Sequence, residues 1–312
     1  MKALLADIGG TNARFALLRG AVHGPHLILP VAGFATVEDA VARALGHLAP
    51  EGGVETAVLA LAGPVVTEPV RMTNAPWEVS AAALGARFGF GRVRLVNDFL
   101  AQAYALPHLA SDDLLPIGGG RAATGAPMLV LGPGTGLGMA GFLPGPGLAI
   151  STEGGHAGLA PTDAREDAVV AALRARCGRA GAEEALSGRG LANLHAIVAG
   201  LRGAAVPERD AAEVVAAAAH CAVAAEALDL FLDFCAGFAG DMALAWGARG
   251  GVFLAGGILP RLAARLDSSR FRARFEAKAP MQDWIAGVPL RLVMHEAPAF
   301  LGLAALARLT EA

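Results

Sequence analysis

The sequence predicts an α/β protein of two domains, and three features carry that expectation. Strand-like apolar runs alternate with helix-compatible stretches along the chain, the order that builds sheets covered by helices. A glycine-tipped hairpin stands in each half, at residues 9–12 and again at 132–136, in comparable positions. The 312 residues, 54% of them hydrophobic, exceed what a single compact core usually holds.

Taken in order, residues 2–8 are the short apolar run of a buried strand. Gly9-Gly10-Thr11-Asn12 turns the chain, and residues 14–18 return as a second strand. Residues 37–48 have helical spacing, after which 56–61 form a strand that ends at Ala62-Gly63-Pro64. Residues 92–96 make another strand, closing on the polar pair Asn97-Asp98, with a helix expected over 99–105. Residues 116–127 are rich in Gly and lack periodicity, which puts a domain crossing just before them, near Leu109. In the second hairpin, residues 128–131 are the first strand, 132–136 the tip and 137–143 the return. Ala-rich helices dominate the later half, interrupted by a strand at 252–255 and its turn Gly256-Gly257. A last strand, 290–294, precedes a C-terminal helix over 299–308.

Composition removes several function classes. A net charge of −3 without a long basic run lacks the footprint of a nucleic-acid binder. Asp7, Gly9 and Gly10 interrupt the N-terminal apolar run before it could act as a secretory segment, so a cytosolic protein is expected. The most apolar stretch, 214–246, is punctuated by Glu226, Asp229, Asp233 and Asp241 and reads as core helices, with no membrane partner. Cys177, Cys221 and Cys235 form no CxxC pair and read as small buried apolar residues.

The chemistry-bearing residues gather at turns. Asp7-Ile8-Gly9-Gly10-Thr11 sets a carboxylate at a strand end with bare backbone N–H groups beyond it, which suits a metal-nucleotide: glycines admit phosphate oxygens and the carboxylate holds Mg²⁺ directly or through water. Gly134-Thr135-Gly136 is a second cradle, with the Thr135 hydroxyl as a further donor. Two facing tips would clamp the β- and γ-phosphates. Gly256-Gly257 is a third glycine turn, flat enough for a base. Asn97-Asp98 lies where a strand ends, the usual ligand position of an α/β sheet, and Asp98 could accept the proton of an attacking sugar hydroxyl. Glu153 and His156 flank two glycines that would let a polyol rest against backbone. One of Glu183 and Glu184 could complete the ring of hydroxyl acceptors. Each motif also has an ordinary reading as a turn, a helix cap or a solvated charge. No Gly-x-Ser-x-Gly elbow or His-Glu-x-x-His helix supports a hydrolase.

Together these residues carry a resemblance. The stretch 7–17, Met72-Thr73-Asn74 with Trp77, residues 95–99, 132–138, Glu153-Gly154-Gly155-His156, Leu186-Ser187-Gly188 and residues 255–260 are similar, in order, to the sequence blocks of bacterial glucokinases of the non-ROK type. That resemblance covers nearly the whole chain. It implies a two-domain actin-like ATPase fold, ribonuclease-H-like in each α/β domain, around an interdomain cleft. The smaller domain would be residues 1–108 completed by the C-terminal helix 298–312, and the larger 109–297. It further implies that Asp98 is the general base for the 6-hydroxyl of glucose and that Asn97, Glu153 and His156 contact the sugar. Glu183 matches a further sugar ligand, with Glu184 leaving the register open by one residue. Asp7 would serve Mg²⁺, possibly through water; Gly9, Gly10, Thr11, Asn12, Gly134, Thr135 and Gly136 the phosphates of ATP; and Gly256 and Gly257 the adenosine. A homodimer is the family precedent. The clustered cysteines of ROK proteins have no counterpart, so no structural zinc is expected. With the first strand starting at residue 2, no DNA-binding extension is expected either. The rival readings are a kinase for another hexose and a noncatalytic ATP- or sugar-binding actin-like module.

Overall fold

The structure, a computed structural model, describes residues 2–20, 22–48, 53–72, 75–266 and 269–309. Of the block Met72-Thr73-Asn74, only Met72 lies within the described residues. Two compact units form, one of Met1–Ala110, Ala149–Ser151 and His295–Ala312, the other of Ser111–Leu148 and Thr152–Met294.

In the first unit, β1 (Lys2–Ile8) turns through three residues into antiparallel β2 (Asn12–Arg19), one residue pair facing the next from Lys2 and Arg19 to Ile8 and Ala13. Side chains alternate along a strand, so Leu4, Ala6 and Ile8 enter one core with Phe15 and Leu17, while Leu5 and Asp7 face the other side. Short strands β3 (Val22–His23) and β4 (Leu27–Pro30) both pair with β2. Helix α1 (Val37–Leu48) covers the first face with Val37, Ala40, Val41 and Ala44, the spacing of one helical stripe. Parallel to β1 runs β5 (Thr56–Leu61), and a small ladder of β6 (Val70–Arg71) and β7 (Glu78–Val79) follows. Helix α2 (Ala81–Phe88) starts where the Ser80 hydroxyl accepts from the Ala83 N–H and stops at Gly89, whose φ of 70° suits glycine. β8 (Arg92–Asn97), parallel to β5, completes the sheet order β3-β2-β1-β5-β8, with β4 also on β2, and α3 (Asp98–Ala105) follows directly.

The second unit repeats the plan. β9 (Leu114–Pro116), β10 (Met128–Pro133), β11 (Leu137–Leu143) and β12 (Leu148–Thr152, its middle residues Ala149–Ser151 grouped with the first unit) precede helices α4 (Ala164–Cys177), α5 (Gly188–Leu201), α6 (Ala211–Ala217) and α7 (Ala222–Trp246). β13 (Gly251–Leu254), α8 (Ala263–Leu266), α9 (Ser269–Glu276), α10 (Gln282–Ala286) and β14 (Leu290–Val293) finish it, in the sheet order β12-β11-β10-β13-β14-β9. In both units an antiparallel hairpin is followed by parallel neighbours, β2-β1-β5-β8 and β11-β10-β13-β14. The apolar stretch 214–246 is α6 and α7. α7 buries residues such as Leu230, Phe231, Phe234 and Cys235 against α5, α6 and α9. No single helix among the described residues is long and apolar enough to cross a membrane.

The last helix, α11 (Pro298–Leu309), packs on α3 so closely that a Cβ on Gly302 would stand 1.7 Å from the Ala101 carbonyl oxygen. α11 and α3 lie on the face of the first sheet that carries Asp7.

Two expectations need correction. The second tip is shorter than 132–136, because β10 continues through Gly132 to Pro133, which closes the ladder opposite Leu137. Only Cys235 is buried, and that burial pushes its thiol up to about 12. Cys221 is half-buried and Cys177 is exposed, the latter because it is the last residue of α4 before the chain leaves through Gly178 at φ 78°.

Candidate active site

Three parallel strands of the first unit end level with one another: Ile8, Leu61 and Asn97 share one register row across β1, β5 and β8. Asp7 therefore stands one residue back on β1, and Asp98 one residue beyond β8. With strands about 4.8 Å apart, two strand spacings set them about 10 Å apart across the sheet. Opposite Asp7 on β2 is Arg14, whose Nη1 donates to Asp7 Oδ2 at 3.1 Å. Burial raises the Asp7 pKa, against the pull of Arg14 and, more weakly, His26. Sequence reading passed over Arg14, although its place opposite Asp7 in a hairpin with a three-residue turn would have exposed the pair.

The loop between them is short and tied at its base. The Gly9 N–H donates to the Asn12 carbonyl at 3.0 Å, and the Val31 N–H to the Thr11 carbonyl at 2.9 Å, which holds Gly9, Gly10, Thr11 and Asn12 at the strand ends beside Asp7. Ala62 N–H reaches the Ile8 carbonyl at 3.0 Å and joins the end of β5 to the same tip.

Asp98 opens α3. Its carboxyl is pushed up to about 7, first by burial and then by the negative charge of Asp7; the backbone N–H groups of Phe99 and Asp98 and the Asn97 amide pull the other way. An ordinary aspartate is a weak proton acceptor, whereas one near 7 is matched to neutral solution. Asn97 is the N-cap of α3: its Oδ1 accepts from the N–H groups of Phe99 at 3.0 Å and Leu100 at 3.1 Å. Its Nδ2 donates to the Gly63 carbonyl and to Asp98 Oδ1, both at 3.0 Å.

In the second unit the glycine motifs converge. Gly134, Thr135 and Gly136 form the tip of the β10–β11 hairpin, closed by the Gly134 N–H on the Gly136 carbonyl at 2.8 Å. The Gly188 N–H at the start of α5 donates to the Gly134 carbonyl at 2.9 Å. The turn after β13 packs backbone to backbone on this hairpin: a Cβ on Gly132 would lie 2.1 Å from the Ala255 oxygen, and one on Gly256, at φ 85°, 2.4 Å from the Pro133 oxygen. Gly257 has open space around it.

Leu137 fastens two further segments to the same tip. Its carbonyl would be 1.9 Å from a Cβ on Gly155, so only glycine lets the turn Gly154–His156 lie against β11. Its N–H donates to Glu183 Oε2 at 2.8 Å. Glu153 and His156 thus project from a turn seated on β11, each side chain 59% exposed, with Oε2 and Nε2 3.9 Å apart. Glu183 is 19% exposed and leans on Gly136, where a Cβ would meet its Oε2 at 2.5 Å. Its neighbour Glu184 turns to Arg189 at 2.9 Å, so of the two it is Glu183 that touches the hairpin. The structure brings together Asp7, the Gly9–Asn12 tip, Asn97 and Asp98 in one unit. In the other it gathers Gly134, Thr135, Gly136, Glu153, His156, Glu183, Gly256 and Gly257.

The sequence matches the family model described as Glucokinase over residues 4–310. A glucokinase of Chromohalobacter salexigens is 44% identical over 296 residues, covering 93% of this chain and 92% of the relative. The structure resembles that of a glucokinase from an Antarctic psychrotroph, at 36% identity with a TM-score of 0.89 and 98% of each chain covered. A ROK family glucokinase from Streptomyces griseus, solved with glucose and AMPPNP, shares the fold at 18% identity and a TM-score of 0.68, over 99% of this chain and all of that one. The fold is the actin-like ATPase fold of sugar kinases.

Proposed function

The chain belongs to the glucokinase family, which phosphorylates glucose with ATP, and from that premise we propose that Asp98 is the base that deprotonates the sugar's 6-hydroxyl. One observation carries the assignment: Asp98 is a carboxyl at the end of a sheet strand, held near neutrality by burial and by Asp7. In the ionised form it accepts the hydroxyl proton as the oxygen bonds to the γ-phosphorus. The electron pair of the breaking bond goes to the bridging oxygen, and ADP leaves.

The remaining roles follow the same reading. Asn97, beside Asp98, is a further partner of the sugar, as are Glu153, His156 and Glu183, whose turns are fastened to one hairpin and of which two are solvent-facing. Backbone N–H groups of Gly9, Gly10, Thr11 and Asn12 and of Gly134, Thr135 and Gly136 hold the phosphates. Gly256 and Gly257 lie under the adenosine. Residues 1–108 with 298–312 act as the small domain and 109–297 as the large one, and the reacting groups are kept from water, since a wet site would hydrolyse ATP.

Mg²⁺ fits the donors present. Among the described residues no three His, Cys, Asp or Glu side chains are grouped to hold an ion. Mg²⁺ in phosphoryl-transfer sites asks for less: one or two carboxylates, waters and the phosphates themselves. Asp7 has one oxygen on Arg14 and the other left for a metal-bound water. The ion would neutralise phosphate charge.

The reading extends to a cytosolic homodimer, supported by the resemblance to bacterial glucokinases; light scattering should give twice the chain mass. Its main test is a coupled assay of sugar-dependent ADP formation over a hexose panel, with each component omitted in turn. Glucose should be preferred. Asp98→Asn should lower turnover by about 10²–10⁴-fold while calorimetry still detects glucose binding. Near-normal turnover in that variant would remove Asp98 from the role.

A further inference from the structure

We propose that Gly136, in the phosphate tip, is also a positioning residue for the sugar: the Glu183 carboxylate occupies the space a side chain there would fill. The two glycines of the tip look alike in the sequence and differ in their surroundings. A Cβ on Gly134 would meet nothing within 4 Å, whereas one on Gly136 would stand 2.5 Å from Glu183 Oε2 and 3.3 Å from its Cδ. The three atoms nearest to that Cβ all belong to the Glu183 carboxyl. Neither glycine has a φ in the left-handed region, so it is the carboxylate and not the backbone that calls for glycine at 136.

Glu183 is held at both ends. Its Oε2 accepts from the Leu137 N–H at 2.8 Å, a hydrogen bond to a charged acceptor, and its backbone carbonyl accepts from the Ser187 hydroxyl at 2.8 Å. Ser187 is fully buried, and its oxygen also accepts from the Gly190 N–H at 2.9 Å as the cap of α5. Leu186-Ser187-Gly188 thus fastens the Glu183 backbone to the start of α5, while Leu137 fastens the carboxylate to the hairpin. Oε1 faces Arg189, whose Nη2 is 3.9 Å away and lies closer to Glu184, at 2.9 Å, so this oxygen is open to a sugar hydroxyl. A methyl group at 136 would have to drive Oε2 back by about 1 Å to reach ordinary contact. A shift of that size breaks the bond from Leu137 and takes the carboxylate off its sugar-facing position.

This inference rests on Glu183 being a partner of the sugar, and the experiment separates the two. Glucose binding is measured by calorimetry without nucleotide, so that the tip's hold on phosphates does not enter. Gly134→Ala, Gly136→Ala, Glu183→Ala and the double variant Gly136→Ala with Glu183→Ala are compared with the parent, with thermal unfolding alongside. Gly136→Ala should weaken glucose binding about tenfold, the effect of losing one hydrogen bond to a charged group. Gly134→Ala should bind glucose within about twofold of the parent. On top of Glu183→Ala, the change at 136 should add less than about twofold, because the carboxylate it displaces is gone. If Gly136→Ala alone does not fold, Glu183→Ala should restore folding, since it removes the atoms nearest the added methyl. Parental glucose affinity in Gly136→Ala, an undiminished loss on top of Glu183→Ala, or a double variant that stays unfolded overturns the proposal. Parental glucose affinity in Glu183→Ala is a different failure: it removes Glu183 from the sugar site.

Discussion

Ionising Asp98 places a negative charge in a buried setting next to Asp7, and the same expense that makes it a usable base weighs on the folded state. A carboxyl raised from 3.8 to about 7 contributes stability that is fully present below the lower value and lost as pH rises through the upper one. Asp98→Asn keeps an oxygen for the Asn97 and Phe99 donors and carries no charge. It should therefore be more stable than the parent at pH 8, by a margin that shrinks by about 2 kcal/mol on going to pH 5.5. Paired denaturant titrations check this, and a margin independent of pH would count against the shifted carboxyl. Asp98 was legible in the sequence because a polar pair closing an apolar strand is conspicuous. The work of Asn97 was not, since its anchor at Gly63 is distant in the chain and emerges only when β5 and β8 align. Likewise, nothing local in Glu183-Glu184 tells which one meets the hairpin; the bond from Leu137 does.

Among the elements, glycine positions separate support from function. Gly132, Gly155 and Gly302 let backbones touch, each leaving a would-be Cβ within 2.1 Å of a carbonyl oxygen, whereas Gly134 has open space. Gly132→Ala and Gly302→Ala should lower the unfolding temperature markedly, because neither contact can relax without moving backbone. Gly134→Ala should unfold like the parent yet raise KM for ATP, since the added methyl stands where phosphate would approach. Unfolding curves beside KM for ATP distinguish the cases, and an unchanged KM for ATP in Gly134→Ala would detach that tip from the phosphates. Long periodic elements were readable: the helix expected over 37–48 and the strand over 56–61 have those bounds. Short ones such as β3, β4, β6 and β7 were not, because two to four residues carry no period and depend on partners for their existence. The tip beginning at Gly134 was misplaced for a related reason: glycine and proline usually mark turns, and here Gly132 and Pro133 continue a ladder.

Across the molecule, the repeated hairpin is visible in the sequence as two glycine tips in comparable positions, while the parallel strands that follow each hairpin emerge in the structure. The return of the C-terminus needed more than pattern: α11 packs on α3 within the first unit, so both ends of the chain build it. Deleting residues 298–312 should accordingly leave the first unit open to proteolysis while Thr152–Met294 keeps its helices, and equal resistance of both would contradict that dependence. The proton acceptor proposed for the reaction lies in the first unit, and the account turns on that group. The most direct measurement is the pH profile of kcat/KM for glucose at saturating MgATP, in the parent and in Asp98→Asn. The account predicts a rising limb with its midpoint near 7 in the parent and no such limb in the variant. A parent profile that is flat from pH 5.5 to 8.5, or a limb that persists unchanged in Asp98→Asn, would contradict it.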